Sequence, residues 1–371
     1  MHVAQINFLP SPKGQRLAET LEQWPSLADI AELVAGSGTR VSVVQVAAHA
    51  ERLTRAGVDY HAIDCTCDRG HRGKRVAGLL DEIQADVLHV HGLGFAEDIY
   101  TVSQHLPRRP VLLQDHADRV PGYWHRRQWR RWYAVASGVA FTAPVLAQPF
   151  VRAGMFAPSA RVFAIPESSC RFTPGSRAEA CAETGLNGSP SVLWVGHLSE
   201  GKDPLTVLDG IALAAERLPG LQLWCAFATS PLLGAVQRRI ATDPRLAGRV
   251  HLLGKVAHAR VESLMRASDL FVSGSLAESC SYAVLEAMAC GVTPVITDIP
   301  SHRALASGIG ALWPCGDAHA LAEALVRMAA DHTSSEQVRA HFDANLSFAA
   351  VGRQWKSAYA QLLDHQYRVA P

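Results

Sequence analysis

Hydrophobic and polar positions along the chain follow two rhythms. Short apolar runs bounded by glycine, proline or aspartate are separated by longer stretches in which apolar residues recur every three to four positions. The first rhythm marks strands buried on both faces and the second marks helices. Their alternation predicts repeated β-α units on parallel sheets. In the first half, strands are expected at 3–8, 41–46, 87–91, 111–114, 138–141 and 161–165. A helix over 24–35 carries Pro25 and Ser26 at its start and meets Gly36 and Gly38 at its end, the asymmetry of proline early and glycine late. From Pro166 to Ser189 the pattern breaks into Pro, Gly, Ser and small polar residues, which reads as an interdomain linker. A second series then predicts strands at 191–195, 222–226, 250–253, 270–273 and 292–297, with helices at 204–216, 282–290 and 318–330. The closing segment 348–363 places Val351, Trp355, Tyr359 and Leu362 at helical spacing.

Length sets the scale of this pattern. A chain of 371 residues exceeds one ordinary α/β domain, so two are expected, at 1–170 and 171–347, followed by a terminal segment over 348–371. Hydrophobic residues make up 48% and charged residues 19%, the composition of a packed globular protein. The formal net charge of +1, with no long basic tail, gives no global field for nucleic acid, so any anion must be held locally. Eight cysteines are scattered without a Cys-x-x-Cys and read as reduced thiols. The N-terminal residues enter the first strand without a basic and then apolar leader, and no apolar run reaches the length of a bilayer crossing. A cytoplasmic location follows as the expectation.

The richest chemistry lies between Asp269 and Pro300, which reads strand, loop, helix, strand and carries Glu278 and Glu286 eight positions apart. Glu278 falls after the carboxyl end of a strand, where open α/β sheets bind ligands. Glu286 falls inside the helix that Gly291 ends. Carboxylates accept hydrogen bonds from the paired hydroxyls of a sugar or a ribose. The helix N-terminus between them offers backbone N–H groups and partial positive charge, which suit a diphosphate.

The run Glu278-Ser279-Cys280-Ser281-Tyr282-Ala283-Val284-Leu285-Glu286-Ala287-Met288-Ala289-Cys290-Gly291, followed by Pro294-Val295 and Asp298, resembles the Glu-x7-Glu signature of the retaining glycosyltransferases of family 4. That resemblance implies the α/β fold called GT-B, in which two Rossmann-like domains with parallel sheets face a cleft and the C-terminal helix crosses back to the N-terminal domain. It implies that Glu286 binds the ribose and Glu278 the donor sugar. The turn Gly196-His197-Leu198-Ser199-Glu200-Gly201-Lys202 is similar to the family's strand-turn element, where basic residues neutralise the departing diphosphate. Lys202 keeps its place, in a chain with only five lysines. His197 stands where relatives usually carry arginine, and a neutral imidazole supplies no fixed positive charge. Ser279 and Ser281 stand where the family often has glycines. His251-Leu252-Leu253-Gly254-Lys255-Val256 resembles the turn against which the nucleotide base lies. The resemblance thus implies a catalytic set of Glu278, Lys202 and His116, the last at the carboxyl end of strand 111–114. The donor-binding set is Glu286, His197, Gly196, Lys255, Val256, Ser279, Cys280, Ser281 and Leu285. It also implies transfer with retention from a UDP- or GDP-sugar, without metal or cofactor, to a glycan, lipid-linked or small-molecule hydroxyl, as in cell-envelope or exopolysaccharide glycans.

Two rival readings accompany this one. His89 and His91 share a strand face and, with His116, Asp115 and Asp118, compose the residue types of a metal-dependent hydrolase. The departures at His197 and at the loop serines suit a nucleotide-sugar-binding protein without catalysis. Separately, segment 122–133 places Trp124, Trp129, Trp132 and Tyr133 on one half of a helical wheel and Arg126, Arg127, Arg130 and Arg131 on the other. This fits either a helix burying its aromatics under a solvated arginine face or a peripheral contact with a membrane or an anionic lipid-linked acceptor.

Overall fold

The computed structural model describes residues 1–65, 69–330 and 333–369. The chain divides into two compact units, Met1–Ser169 with Phe348–Pro371, and Cys170–Ser347. In the first unit eight strands, β1 (His2–Asn7), β2 (Arg40–Ala47), β3 (Glu51–Arg55), β4 (Val58–Asp64), β5 (Val87–His91), β6 (Val111–Gln114), β7 (Ala136–Phe141) and β8 (Arg161–Ala164), form one sheet in the order β3-β4-β2-β1-β5-β6-β7-β8. All pairs are parallel except β3 with β4. The second unit holds β9 (Ser191–Gly196), β10 (Gln222–Phe227), β11 (Val250–Gly254), β12 (Leu270–Ser273), β13 (Thr293–Thr297) and β14 (Ala311–Trp313), all parallel, in the order β11-β10-β9-β12-β13-β14. Both sheets reverse their direction of growth once, between β1 and β5 and between β9 and β12. Doubly wound sheets open a crevice at such a reversal, because the connections on either side depart over opposite faces.

Burial on both faces explains the apolar strands. In β1, Ala4, Ile6 and Phe8 pack into one cluster and Val3 into another across the sheet. In β9, Leu193 faces one cluster while Val192 and Trp194 face the other. Alternation between two cores leaves little polar surface, so the inner strands read as near-continuous apolar runs.

The structure departs from the sequence expectations at several elements. Strands β3 and β4 form a hairpin through Ala56 and Gly57, both at positive φ. The Glu and Arg side chains of β3 mark it as an edge strand, where charge blocks pairing with another chain, and this hid it from a search for apolar runs. The stretch 166–189 contains a helix, Arg177–Thr184, whose Ser176 side chain accepts the Glu179 N–H. Segment 122–133 is not one helix: Tyr123–His125 is a 3-10 turn and the α-helix begins at Arg126. Trp129, Trp132 and Tyr133 pack on the first core, but Trp124 does not join them. The seven cysteines within the described residues form no disulfide with one another, and Cys67 lies outside those residues.

The terminal helix Phe348–Val369 belongs to the first unit and packs on the helix Pro25–Gly36. Val351, Trp355, Tyr359 and Leu362 are all buried there. Gly352 allows the crossing, since a Cβ at that position would stand 2.4 Å from the Leu33 carbonyl oxygen. Trp355→Ala should cost about 3–5 kcal/mol through the cavity it opens, and Gly352→Ala about 1–3 kcal/mol through overpacking. Urea unfolding followed by circular dichroism checks both; an unchanged midpoint in either would contradict this packing.

Candidate active site

In the second unit the reversal between β9 and β12 brings together two loops distant in sequence. After β9 the chain runs through Gly196 and His197 to a 3-10 turn at Glu200–Lys202. Asp203 then takes a left-handed conformation and caps the helix Pro204–Ala215 by accepting the Thr206 N–H. After β12 the chain passes beneath that turn at Gly274, where a Cβ would lie 3.0 Å from the carbonyl oxygens of both Lys202 and Asp203. The Leu276 N–H then donates to the Gly201 carbonyl at 2.9 Å. Glycine is required by this close approach of two backbones. Its outcome is an ion pair between Lys202 Nζ and Glu278 Oε1, both partly buried.

Glu278 is further held by the Ser275 hydroxyl, which donates to Oε1 at 2.7 Å and accepts from the Ser273 hydroxyl at 3.2 Å. Beneath the loop, the Thr297 hydroxyl donates to the Ser275 carbonyl at 2.6 Å, and His302 Nδ1 donates to the Thr297 carbonyl at 2.9 Å. His302 is fully buried, and burial pushes its imidazole down to about 4, so it braces the loop as a neutral donor. Glu286 lies one turn inside the helix Tyr282–Ala289, largely buried, with Oε1 2.7 Å from Nε2 of the exposed His258. Ser281 is the N-cap of this helix, and its side chain makes no capping hydrogen bond.

The remaining candidates of this unit divide by exposure. His197 is exposed, with Nδ1 2.9 Å from the Thr229 hydroxyl, and Gly196 ends β9 beside the Trp194 ring. Lys255 is exposed after β11 and Val256 is half-buried against the core. Ser279 is half-buried and Ser281 buried in the loop. Leu285 is 0% exposed, and its side chain packs the helix on the core. Cys280 likewise turns its side chain into that core.

The first unit has its own polar cluster at the carboxyl ends of β5 and β6. His116 Nδ1 lies 2.5 Å from Glu167 Oε1, and its Nε2 lies 3.2 Å from His91 Nδ1. Burial works against a charged His116, but the Glu167 hydrogen bond and the charges of Glu167, Asp118 and Asp115 outweigh it and raise its pKa. Asp115 is pushed up to about 6, chiefly by burial and partly by Asp118 and Glu167, against the Asp118 N–H that it accepts. Asp118 accepts the backbone N–H groups of Leu93, Gly94 and His116. His116 and Asp118 line a cavity of about 350 Å³ together with Leu9, Trp24, Ile30 and Phe95. His89, by contrast, is fully buried, bonded to the Tyr359 hydroxyl at 2.8 Å and pushed down to about 3 by burial. Among the described residues no group of three or more His, Cys, Asp or Glu is placed to hold a metal ion.

Residues 189–331 match the family model described as Glycosyl transferases group 1. Over 292 residues, 76% of this chain and 74% of the relative, the sequence is 26% identical to the GDP-mannose:cellobiosyl-diphosphopolyprenol alpha-mannosyltransferase of Xanthomonas campestris. A D-inositol 3-phosphate glycosyltransferase of Mycobacteroides abscessus is 35% identical over 129 residues, 34% of this chain and 28% of that protein. Among solved structures, sucrose-phosphate synthase from Thermosynechococcus elongatus shares the fold with a TM-score of 0.69 at 18% identity, covering 98% of this chain and 99% of that one. The chain is a glycosyltransferase of the GT-B fold.

Three residues of this glycosyltransferase that sequence reading passed over stand against its candidates: Ser275 and His258 on the two glutamates, and Glu167 on His116. Ser275 sits at a strand's carboxyl end, a position that flags ligand loops and could have singled it out. Nothing in the sequence ties Glu167 to His116, which lies 51 positions earlier. With its pKa raised, His116 contributes stability that is present below the ordinary histidine value of 6.5 and is lost as pH rises through the folded-state value. In Glu167→Gln, His116 should titrate at lower pH than in the native chain, read from its ring resonances by NMR. An unchanged titration would remove Glu167 as the cause.

Proposed function

We propose that this glycosyltransferase takes its sugar from a nucleoside diphosphate sugar, UDP- or GDP-linked, and transfers it with retention of anomeric configuration. The contact between Lys202 and Glu278 at the reversal of the second sheet is the observation that carries this reading. An amine and a carboxylate paired in a partly buried site suit a ligand bearing both phosphates and hydroxyls. When the donor enters, the amine turns from the carboxylate to the diphosphate, and Glu278 is released to accept hydrogen bonds from the sugar. Glu286 accepts from the ribose. The uncapped N-terminus of the helix Tyr282–Ala289 adds backbone donors and partial positive charge to the phosphates. Charge develops on the diphosphate as the glycosidic bond breaks, so Lys202 stabilises the transition state more than the ground state.

Among the described residues no carboxylate stands out as a nucleophile, which favours displacement on one face of the sugar. The bond from the anomeric carbon to the diphosphate breaks, the bond to the acceptor oxygen forms, and the acceptor's proton passes to the departing phosphate. Lys202 and the helix terminus supply the positive charge that a metal ion would otherwise bring. His116, whose pKa Glu167 raises, is assigned to the sugar in the first unit. The name of the Xanthomonas relative, a GDP-mannose-dependent enzyme acting on a diphosphopolyprenol-linked sugar, supports a mannosyl donor and a lipid-linked acceptor here.

Glu286→Ala should weaken UDP or GDP binding about tenfold or more by calorimetry, through the loss of charge-assisted hydrogen bonds. Lys202→Ala should leave binding within a smaller factor and lower turnover by roughly a hundredfold. The anomeric coupling constant of the product, read by NMR, checks retention. Full binding and full turnover in both variants would remove the assignment.

A further inference from the structure

The segment leading into the helix Arg126–Tyr133 carries a surface that sugar transfer leaves unexplained. Tyr123 is 73% and Trp124 89% exposed, while the other aromatics of the segment, Trp129, Trp132 and Tyr133, pack on the core. The two exposed rings meet edge to face, with centroids 5.5 Å apart, and the Arg126 guanidinium lies over the Tyr123 ring at 5.8 Å. Arg126 Nε also donates to the Pro121 carbonyl, which ties the turn to the helix start. The knob is therefore preformed.

Along this stretch of the chain the charge is of one sign. Residues 119–166 contain seven arginines and no aspartate, glutamate or lysine, in a chain whose formal net charge is +1. Arg130 donates to the Ala153 and Gly154 carbonyls, and Arg131 to the Tyr100 hydroxyl. These bonds fix exposed guanidinium groups in place without neutralising them, because carbonyls and a phenol carry no charge. Val151, 47% exposed, and the exposed Arg152 lie in the helix end whose following carbonyls Arg130 holds.

A large aromatic pair standing out from a surface, ringed by arginine, suits a particular partner. Nucleic acid and extended peptide are held in grooves where rings lie flat against bases or side chains. Here Arg126 lies over one ring and the pair meets edge to face, so the two rings project as a knob and do not line a groove. A bilayer interface accepts a projecting knob: tyrosine and tryptophan rest at headgroup depth, and arginines meet anionic lipid phosphates. We propose that Tyr123 and Trp124, with Arg126, Arg127, Arg130 and Arg131, dock this protein peripherally on an anionic membrane surface. The sequence pattern suggested an amphipathic helix, whereas the structure assigns insertion to the turn before it. The proposal stands independently of the sugar-transfer reading.

The test uses the full chain and vesicles of phosphatidylcholine with roughly 30% phosphatidylglycerol, compared with phosphatidylcholine alone. Co-sedimentation should show binding to the anionic vesicles at low salt, weakened at high salt. The double variant Tyr123→Ser, Trp124→Ser should bind them about tenfold less, with an unchanged melting temperature because both side chains are solvent-exposed. Replacing Arg127, Arg130 and Arg131 by glutamine should also reduce binding. Calorimetry with UDP and GDP should be unaffected in the aromatic variant, which separates this idea from the donor assignment. Absence of binding, equal binding to neutral vesicles, or undiminished binding by the aromatic variant would overturn the proposal. A dimer in sedimentation velocity without lipid, lost in the same variant, would give the surface to a second copy instead and likewise overturn it.

Discussion

The organisation of the second unit depends on one constraint: the sheet reverses its growth between β9 and β12, and the loops leaving those two strands must pass each other. They pass at contact distance because Gly274 lacks a side chain, and the Leu276 N–H to Gly201 carbonyl bond joins them. That crossing sets Lys202 against Glu278, with Ser275, Thr297 and His302 stacked behind in a chain of hydrogen bonds. Each member of the chain supports the next. The neutral His302 holds Thr297, Thr297 holds the Ser275 carbonyl, and Ser275 holds the carboxylate. A carboxylate so braced keeps its position as its cationic partner turns toward another anion, the exchange that donor binding requires in the proposed reaction.

The first unit meets a different electrostatic problem, that of placing imidazoles and carboxylates under and beside a sheet. Its solution separates them by depth. His89 and His91 lie wholly inside, where burial keeps them neutral. His116 lies nearer the surface, where Glu167, Asp118 and Asp115 favour its charged form over the cost of burial. His116 bridges the two depths: its Nδ1 faces Glu167 on one side and its Nε2 faces His91 on the other. The terminal helix contributes to the same arrangement, since its Tyr359 hydroxyl is the partner of His89.

Legibility in the sequence varied with the range of the forces involved. Strands β5, β6 and β12 and the helix Ala318–Ala330 have the bounds that the apolar pattern predicts, because burial on both faces of a sheet leaves an unmistakable local signal. Strands β3, β4 and the three-residue β14 escaped, β3 because its charges protect an edge, β4 because Asp59 and His61 interrupt its apolar run, and β14 because it is too short to show a period. At the candidate sites, the turn that carries Lys202 and the helix that carries Glu286 were visible locally. Their partners were not. Glu167, Ser275 and His258 act through contacts between segments, and Leu285, placed among ligand-binding positions by its neighbours in the motif, turned inward.

From the amino-acid order alone came the class of the fold, the alternation of its elements and the candidate residues for sugar and phosphate recognition, since these depend on local periodicity, helix termini and side-chain type. Only the tertiary structure decided that Lys202 and Glu278 form a pair, that Glu167 raises the pKa of His116 while His89 is sealed away, and that Trp124 stands outside while Trp129 and Trp132 go in. Ion pairing, desolvation and exposure depend on distances between residues far apart in the chain, and those distances exist only once the sheets have closed on their cores.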